Sequence, residues 1–482
     1  MLDITQIGKR AVASVIALTS RTFLLNVINF LGVLALTIFL TREEFGVFII
    51  TSTIVDILAY FSDIGLAGAL IQKKTKLKKS EIEATFTLQE LLVLSGIAMG
   101  FLFAGPIQRF YQLDQSGLWL FYALLVAFFM SSLKTIPSVL LERKLKFEKI
   151  IIPQVAETLV FNTLIVSLAW LGYGIKSYIV AVLARAVVGT VIIYILVPWR
   201  PRLRFSLKAV KSLFSFGIPY QMNSVLAVFK DRVSLLVLGK ILGLEAMGVL
   251  GWAEKWSNLA LRYFLDATVK VAFPMFSRLQ HEIDKMKRSL EHFIYFISTM
   301  VFPFLAGAYV IMPRIVAIIP KYAKWELGLP TFNLFLISAG VAAVSTFLTN
   351  FLMAIGKINQ VVGLMVFWTI TTLSLYPLLA LKYGVIGVAM GSVIISLTAV
   401  ITYLLVRKVV KFQLLMNVLP GLLASGIMIV VIKAVDQYLP LNMKGLVSMI
   451  IFGGIVYLGS LYLINGKKLK NQVRTFIHYA KA

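Results

Sequence analysis

Apolar runs of about 20 residues recur along the whole chain, separated by short polar or basic segments. A run of this length crosses the hydrocarbon core of a bilayer as one α-helix. Because backbone groups in lipid must be hydrogen-bonded within the protein, the pattern predicts a bundle of helices. We therefore expect an all-α membrane protein with about 14 transmembrane helices. The predicted spans are 12–40, 45–71, 83–104, 117–141, 150–171, 177–198, 212–239, 246–270, 291–312, 328–354, 358–380, 384–406, 414–434 and 443–464.

Composition excludes several classes of protein. Of the 482 residues, 59% are hydrophobic and 14% are charged, whereas a soluble domain carries about 25% charged residues. There is no cysteine, so disulfides and thiolate metal sites are excluded. The three histidines lie in or beside predicted loops, and no Walker A or GxGxxG sequence is present. We expect no metal, no cofactor, no enzymatic activity and no direct use of ATP.

The distribution of basic residues predicts the topology. Lys plus Arg is 47 and Asp plus Glu is 21, a formal net charge of +26. With the N-terminus in the cytoplasm, 29 of the cations fall on the cytoplasmic side and 9 on the outer side. Cytoplasmic loops collect Lys and Arg, so we expect both termini inside. Topology and anionic lipid explain the charge, and a nucleic-acid partner is not needed.

An internal repeat divides the predicted spans. Segments 40–48, 60–63 and 171–175 resemble 242–250, 263–266 and 381–385, at offsets of 202 to 210 residues. The offset covers six spans, an even number, so the two copies have the same orientation and are related by an axis along the membrane normal. The predicted parts are an N-lobe (1–198), a basic cytoplasmic linker (199–211), a C-lobe (212–411), and two extra helices with a basic tail (412–482).

Polar side chains form stripes inside four corresponding spans of the two repeats. These stripes are Arg21, Thr22, Asn26 and Asn29; Ser52, Asp56 and Asp63; Lys230, Asp231 and Arg232; and Glu254, Asn258, Arg262 and Asp266. A cation at the bilayer centre costs about 2.5–3.5 kcal/mol on insertion scales, so such residues face a cavity or a partner. One water-filled cavity could receive all four stripes. The alternative is that they are ion pairs that hold the bundle together.

Residues Thr41 to Glu44, at the outer start of the second span, allow two interpretations. Multi-spanning glycosyltransferases carry acids in their first outer loop, which gives a catalytic hypothesis. Thr41 followed three residues later by Glu44 is also a capping box for a helix start. We favour the capping box, because no large outer loop is present to bind a donor or acceptor sugar.

Several segments resemble Wzx-type polysaccharide flippases of the multidrug/oligosaccharidyl-lipid/polysaccharide exporter superfamily. These segments are 40–48 with 61–72, 140–149, 214–219 and 353–357. The resemblance implies two lobes around a cavity that opens alternately to each side. It implies transport of an undecaprenyl-pyrophosphate-linked oligosaccharide from the cytoplasmic to the periplasmic leaflet of the inner membrane, for O-antigen, capsule or exopolysaccharide synthesis. It also implies a monomeric transport unit, contact with membrane lipids, and a polysaccharide polymerase and chain-length regulator as partners.

The chemistry of that cargo selects candidate residues. A diphosphate needs fixed cations, whose attraction is stronger in a low-dielectric cavity, and Arg binds phosphate oxygens bidentately. The cationic candidates are Arg21, Arg262, Lys230 and Arg185. The candidates for glycan contact are Asn26, Asn29, Asn223, Asn258 and Tyr263, and those for proton or sodium coupling are Asp63, Asp266 and Glu254. The polyprenyl tail would stay in the lipid, beside spans 13 and 14.

Two other functions fit parts of the pattern. A drug or metabolite:cation antiporter of the same superfamily would have an acidic cavity, whereas the balance inside these spans is cationic. A membrane glycosyltransferase or ligase would need outer loops and paired catalytic acids, which the sequence lacks.

Overall fold

The computed structural model describes residues 25, 27–63, 66–72, 77–204 and 228–481, without the side chains of Asp63, Ala69, Gln72, Arg262, Ala267 and 467–481. Every regular element within these ranges is a helix. The chain divides into two compact units, Met1–Gly248 and Val249–Ala482. The lobe boundaries expected from the repeat stay a prediction, since most of the linker lies outside the described residues.

The first unit contains a series of helices. In the described residues they are α1 (Val27–Phe39), α2 (Arg42–Asp63), α3 (Leu66–Gln72), α4 (Lys79–Tyr111), α5 (Gln115–Ser132), α6 (Thr135–Arg143), α7 (Phe147–Trp170), α8 (Ile175–Leu196), α9 (228–242) and the start of α10 (Leu244–Ser257).

The second unit continues from α10 through one π-helical turn (Leu261–Leu265). The helices that follow are α11 (Asp266–Leu279), α12 (Ile283–Ile318), α13 (Leu329–Ala354), α14 (Ile358–Leu397), α15 (Ala399–Val409), α16 (Leu414–Asp436) and α17 (Met443–Lys481), with a 3-10 turn (Ala323–Gly328) before α13.

The lengths of these helices confirm the predicted fold class. Among the described residues, ten helical segments are long and apolar enough to cross a membrane. One of them, Ile358–Val409, has 52 residues, enough for the two crossings predicted there. The predicted eighth span is helical but is not among the ten, because it carries seven charged residues from Leu244 to Leu279. The protein is an all-α membrane protein of the predicted kind.

The backbone at two glycines supports the internal repeat. Gly174 and Gly384 occupy matching positions in the third pair of similar segments. Gly174 has φ 55° and ψ −131°, and Gly384 has φ 61° and ψ −140°. This conformation is open to glycine and strained for any residue with a Cβ atom. The same unusual turn therefore precedes α8 and interrupts α14 at equivalent places.

The fourth predicted span is broken rather than continuous. Leu133 and Lys134 form a turn between α5 and α6. Pro137 has no N–H to donate to the carbonyl of Leu133, four residues earlier, and its ring crowds that carbonyl. The hydroxyl of Tyr194 donates to the Leu133 carbonyl instead, at 3.1 Å. This break places polar backbone inside the first unit.

In the second unit, the last two helices are fixed to α12. The Arg314 side chain is 7% exposed, and its Nη2 donates to the carbonyls of Leu439 and Asp436, while Nη1 donates to that of Pro440. Its Nε also lies 2.5 Å from Asp436 Oδ1. One arginine thus binds the connection between α16 and α17 to α12.

Candidate functional site

A charged cluster lies where α2 and α9 meet in the first unit. Arg232 Nη2 on α9 lies 2.9 Å from Asp56 Oδ2 on α2. Arg185 on α8 acts electrostatically on the same carboxylate, and its guanidinium lies 5.1 Å from the ring centroid of Phe161. Two guanidinium groups thus converge on one acid. Arg232 was part of a predicted stripe but not among the selected cations.

The neighbouring residues of α9 add further charge. Lys230 Nζ lies 2.9 Å from Asp231 Oδ1, with the lysine side chain 25% exposed and the aspartate 66% exposed. Lys230 is thus paired with the next residue of its own helix, which joins no two helices, and its predicted role stays a prediction. Together, Asp56, Arg185, Lys230, Asp231 and Arg232 carry three positive and two negative charges, which leaves an excess of positive charge.

An apolar cavity adjoins this charged cluster. Its volume is about 50 Å³, and α2 and α9 supply its walls. The lining residues are Ile57, Tyr60, Phe61, Val228, Phe229 and Val233. Ile57 directly follows Asp56, and Val233 directly follows Arg232, so the cavity begins where the ion pair ends. A positive region and an apolar region thus lie side by side.

Some of the predicted diphosphate and glycan residues fall outside this cluster. Arg21, Asn26 and Asn223 lie outside the described residues, as does the side chain of Arg262. Asn29 is exposed, and its Oδ1 accepts a hydrogen bond of 3.3 Å from Asn162 Nδ2 on α7.

The remaining predicted residues lie on α10, the π-helical turn and α11, and on α2. Asn258 and Tyr263 are half-buried, whereas Glu254 and Asp266 are exposed. Asp63 ends α2, with its side chain outside the description. The roles assigned to all of these residues stay predictions.

The start of α2 confirms the capping box. Glu44 Oε2 accepts a hydrogen bond of 2.8 Å from Thr41 N, and Thr41 Oγ1 accepts one of 3.2 Å from Glu44 N. Both residues are therefore engaged in starting the helix.

The starts of α2 and α10 pack against each other through matching glycines. A Cβ atom on Gly46 would collide with the carbonyl oxygen of Leu244, and one on Gly248 with the carbonyl oxygen of Arg42. Gly248 and Leu244 are the repeat equivalents of Gly46 and Arg42. The contact is thus reciprocal, as expected for a twofold relation between repeats. An ion pair of 2.7 Å between Arg42 Nη2 and Glu245 Oε1 lies beside it.

A buried polar group inside α4 was missed by the sequence reasoning. Gln89 and Glu90 are 4% and 5% exposed, although they lie in a helix long and apolar enough to cross a membrane. The available signal was a carboxyl within a predicted apolar span, seven residues from its start at 83. Glu90 was not predicted as a site residue because it belongs to none of the four polar stripes.

Comparison with known proteins supplies the family. The succinoglycan biosynthesis transport protein ExoT of Rhizobium meliloti (strain 1021) is 25% identical over 366 residues, covering 74% of this chain and 71% of that protein. The lipopolysaccharide biosynthesis protein WzxC of Escherichia coli (strain K12) is 25% identical over 395 residues, covering 78% and 77%.

The fold is similar to a solved flippase structure. The lipid II flippase MurJ in its inward closed conformation superposes with a TM-score of 0.78 at 17% identity, covering 94% of this chain and 100% of that one. The expected resemblance to Wzx-type polysaccharide flippases is confirmed by the similarity to WzxC. The family described as "Polysaccharide biosynthesis protein" matches residues 35–325, more than half of the sequence, and the chain belongs to that family.

Proposed function

We propose that this protein is a flippase that moves an undecaprenyl-pyrophosphate-linked oligosaccharide from the cytoplasmic to the periplasmic leaflet of the bacterial inner membrane. The observation that carries the proposal is the cluster of Asp56, Arg185 and Arg232 beside an apolar cavity. A lipid diphosphate is anionic at its head and apolar in its tail. Its head group and the first part of its tail need a cationic and an apolar surface side by side.

The ion pair of Asp56 and Arg232 suits a site whose arginine must stay in position when no substrate is bound. Asp56 keeps Arg232 extended from α9 while the site is empty. A diphosphate carries more negative charge than one carboxylate and can accept two parallel hydrogen bonds from a guanidinium, so it can replace Asp56 as the partner of Arg232. Arg21, Arg262 and Lys230 would add to the field, and Asn26, Asn29, Asn223, Asn258 and Tyr263 would contact the glycan.

Alternating access requires the two ends of the site to open in turn. The reciprocal contact of Gly46 and Gly248, with the ion pair of Arg42 and Glu245, joins the starts of α2 and α10. On the predicted topology, with both termini in the cytoplasm, these helix starts face the periplasm. Opening of the periplasmic side would separate them. Ion coupling at Asp63, Asp266 or Glu254 is part of the proposal.

Deletion of the gene in its host tests the proposal. Lipid-linked oligosaccharide should accumulate in the cytoplasmic leaflet, where reagents added from outside do not reach it, and surface polysaccharide should be lost. Re-expression of the full chain should reverse both effects. Unchanged levels and accessibility of lipid-linked oligosaccharide in the deletion strain would refute the proposal.

A further inference from the structure

Among the residues that the structure describes, no cation pairs with the enclosed carboxyl of Glu90 in the first unit. It lies eleven residues after the start of α4 at Lys79, about 16 Å along the helix axis. Its Oε1 atom is buried and has no hydrogen-bond partner in the described ranges, and neither has Oε1 of the adjacent Gln89. Within the part of the chain that the structure describes, Glu90 makes no ion pair. A carboxylate in such surroundings has little to stabilise its charge.

The one hydrogen bond of Glu90 indicates where a proton lies. Ser132 Oγ lies 3.0 Å from Glu90 Oε2 and 2.7 Å from the carbonyl oxygen of Phe129. A hydroxyl has a single hydrogen, so Ser132 cannot donate fully to both acceptors. Both contacts become good hydrogen bonds when the Glu90 carboxyl carries a proton and donates it to Ser132 Oγ, while Ser132 donates to Phe129.

The charged groups around Glu90 are occupied elsewhere. Lys134 is paired with Glu157 on α7 at 2.6 Å, and Arg204 lies 3.8 Å from Glu83, two turns earlier on α4. On the other elements near α4, the groups and their partners are Arg143 with the carbonyls of Leu70 and Ile71, Asp56 with Arg232, and Tyr194 with the carbonyl of Leu133.

The position of Glu90 gives it a route to change state. Ser132 is the last residue of α5, and Gln89 Nε2 donates to Thr135 Oγ1, the first residue of α6, at 2.8 Å. The two buried side chains therefore contact both ends of the break created at Leu133 and Lys134. Interrupted helices build ion sites in transporters because they free polar backbone and can bend. A rearrangement of this break would move Ser132 and expose Glu90.

We propose that Glu90 is an exchangeable proton site. The carboxyl holds a proton in the described state. When the break between α5 and α6 rearranges, the O–H bond breaks and the proton passes to water, leaving a carboxylate. A role for Glu90 in coupling transport to a proton gradient rests on the proposed function. The binding and release of a proton by Glu90 does not depend on that function.

Infrared difference spectroscopy tests the site on the full chain in lipid nanodiscs. At neutral pH the spectrum should contain the carbonyl stretch of a protonated carboxylic acid, which Glu90→Gln should lose. Glu90→Gln keeps the size and neutrality of the protonated side chain, so we expect it to fold. The exposed Glu148→Gln variant is the matched control and should keep the band. Ser132→Ala, which removes the acceptor of the proton, should shift its frequency.

Three results would overturn the proposal. Absence of the band at neutral pH would mean that Glu90 is ionised. Persistence of the band at every pH at which the protein stays folded would make Glu90 a fixed structural acid. Loss of the band on addition of sodium chloride at constant pH would assign the site to sodium. The band is measured without substrate, so this test is independent of the flippase proposal. If the band is present but gene deletion leaves lipid-linked oligosaccharides unchanged, the flippase proposal is refuted and the proton site is retained.

Discussion

The carboxylate of Asp56 on α2 lies 2.9 Å from the guanidinium of Arg232 on α9, with both side chains partly exposed. Exposed ion pairs contribute about 0–1 kcal/mol to stability. The pair therefore adds little to the free energy of folding. Its effect is to hold an arginine at a fixed place, next to an apolar cavity, where an anion can compete for it.

Arg232→Ala should reduce export strongly while the protein folds normally. Loss of one charge-assisted hydrogen bond costs about 1.5–3 kcal/mol, or about tenfold to 150-fold in affinity for the anion. Arg232→Lys should restore part of the export, since the charge returns without the planar fork. Export is measured per amount of protein in the membrane, and the exposed Arg200→Ala is the control.

The same assay applies to Arg21→Ala and Arg262→Ala, which should abolish export at normal protein levels. If the cations only form structural ion pairs, the alanine variants should be poorly inserted, and removal of the partner acid should rescue them. Full export by a well-expressed Arg21→Ala or Arg232→Ala variant would remove that residue from the mechanism.

Gly46→Ala and Gly248→Ala should weaken the contact between the starts of α2 and α10. Each added methyl group would collide with a backbone carbonyl, and overpacking of this kind costs about 1–3 kcal/mol. The chain has no cysteine, so the pair Arg42→Cys and Glu245→Cys can be joined by a bifunctional maleimide without background. The yield of cross-linking should fall in either alanine variant.

Gly105→Ala is the control for this experiment, because nothing lies within 4 Å of a Cβ atom at Gly105. An unchanged yield in both Gly46→Ala and Gly248→Ala would contradict the packing described for these glycines.

Gly384→Ala should lower the thermal midpoint of unfolding in detergent. No atom lies within 4 Å of the added Cβ, so the loss would come from the backbone alone, at about 1–3 kcal/mol. Gly174→Ala should lose more, because its Cβ would also collide with Glu44 Oε1. Gly426→Ala, in α16 with open space around it, should be neutral or slightly stabilising. Equal midpoints for Gly384→Ala and Gly426→Ala would contradict the strain argument.

Lys134 and Glu157 form an ion pair of 2.6 Å, with side chains 18% and 19% exposed. Removing one partner of a buried pair costs about 3–5 kcal/mol, because the other charge is left alone. Lys134→Met or Glu157→Met should therefore reduce the amount of folded protein in the membrane. The double variant should recover most of it. If the loss of folded protein in the double variant equals the sum of the losses in the two single variants, Lys134 and Glu157 are not energetically coupled.

The sequence predicted the helices more completely than the site. Hydropathy is a property of each segment, and the repeat is a similarity between two segments. The spans and the matching of Gly46 with Gly248 could therefore be found from the order of residues alone. The polar stripes containing Asp56 and Arg232 were also visible. Which acid contacts which arginine depends on how α2 and α9 cross, and this is decided by packing. The break before α6 had a local cause in Pro137, whereas the burial of Glu90 depends on how α4 packs against its neighbours.

Arg314 has a consequence for the path of a lipid tail. Its bonds to the carbonyls of Asp436, Leu439 and Pro440 tie the end of α16 and the connection to α17 to α12. Tyr457 adds a hydrogen bond of 2.7 Å from its hydroxyl to the carbonyl of Thr299 on α12. Separation of α12 from the last two helices would therefore have to break these hydrogen bonds of the buried Arg314 side chain. A polyprenyl chain that passes beside α16 and α17 must do so along the side of the pair that faces away from α12.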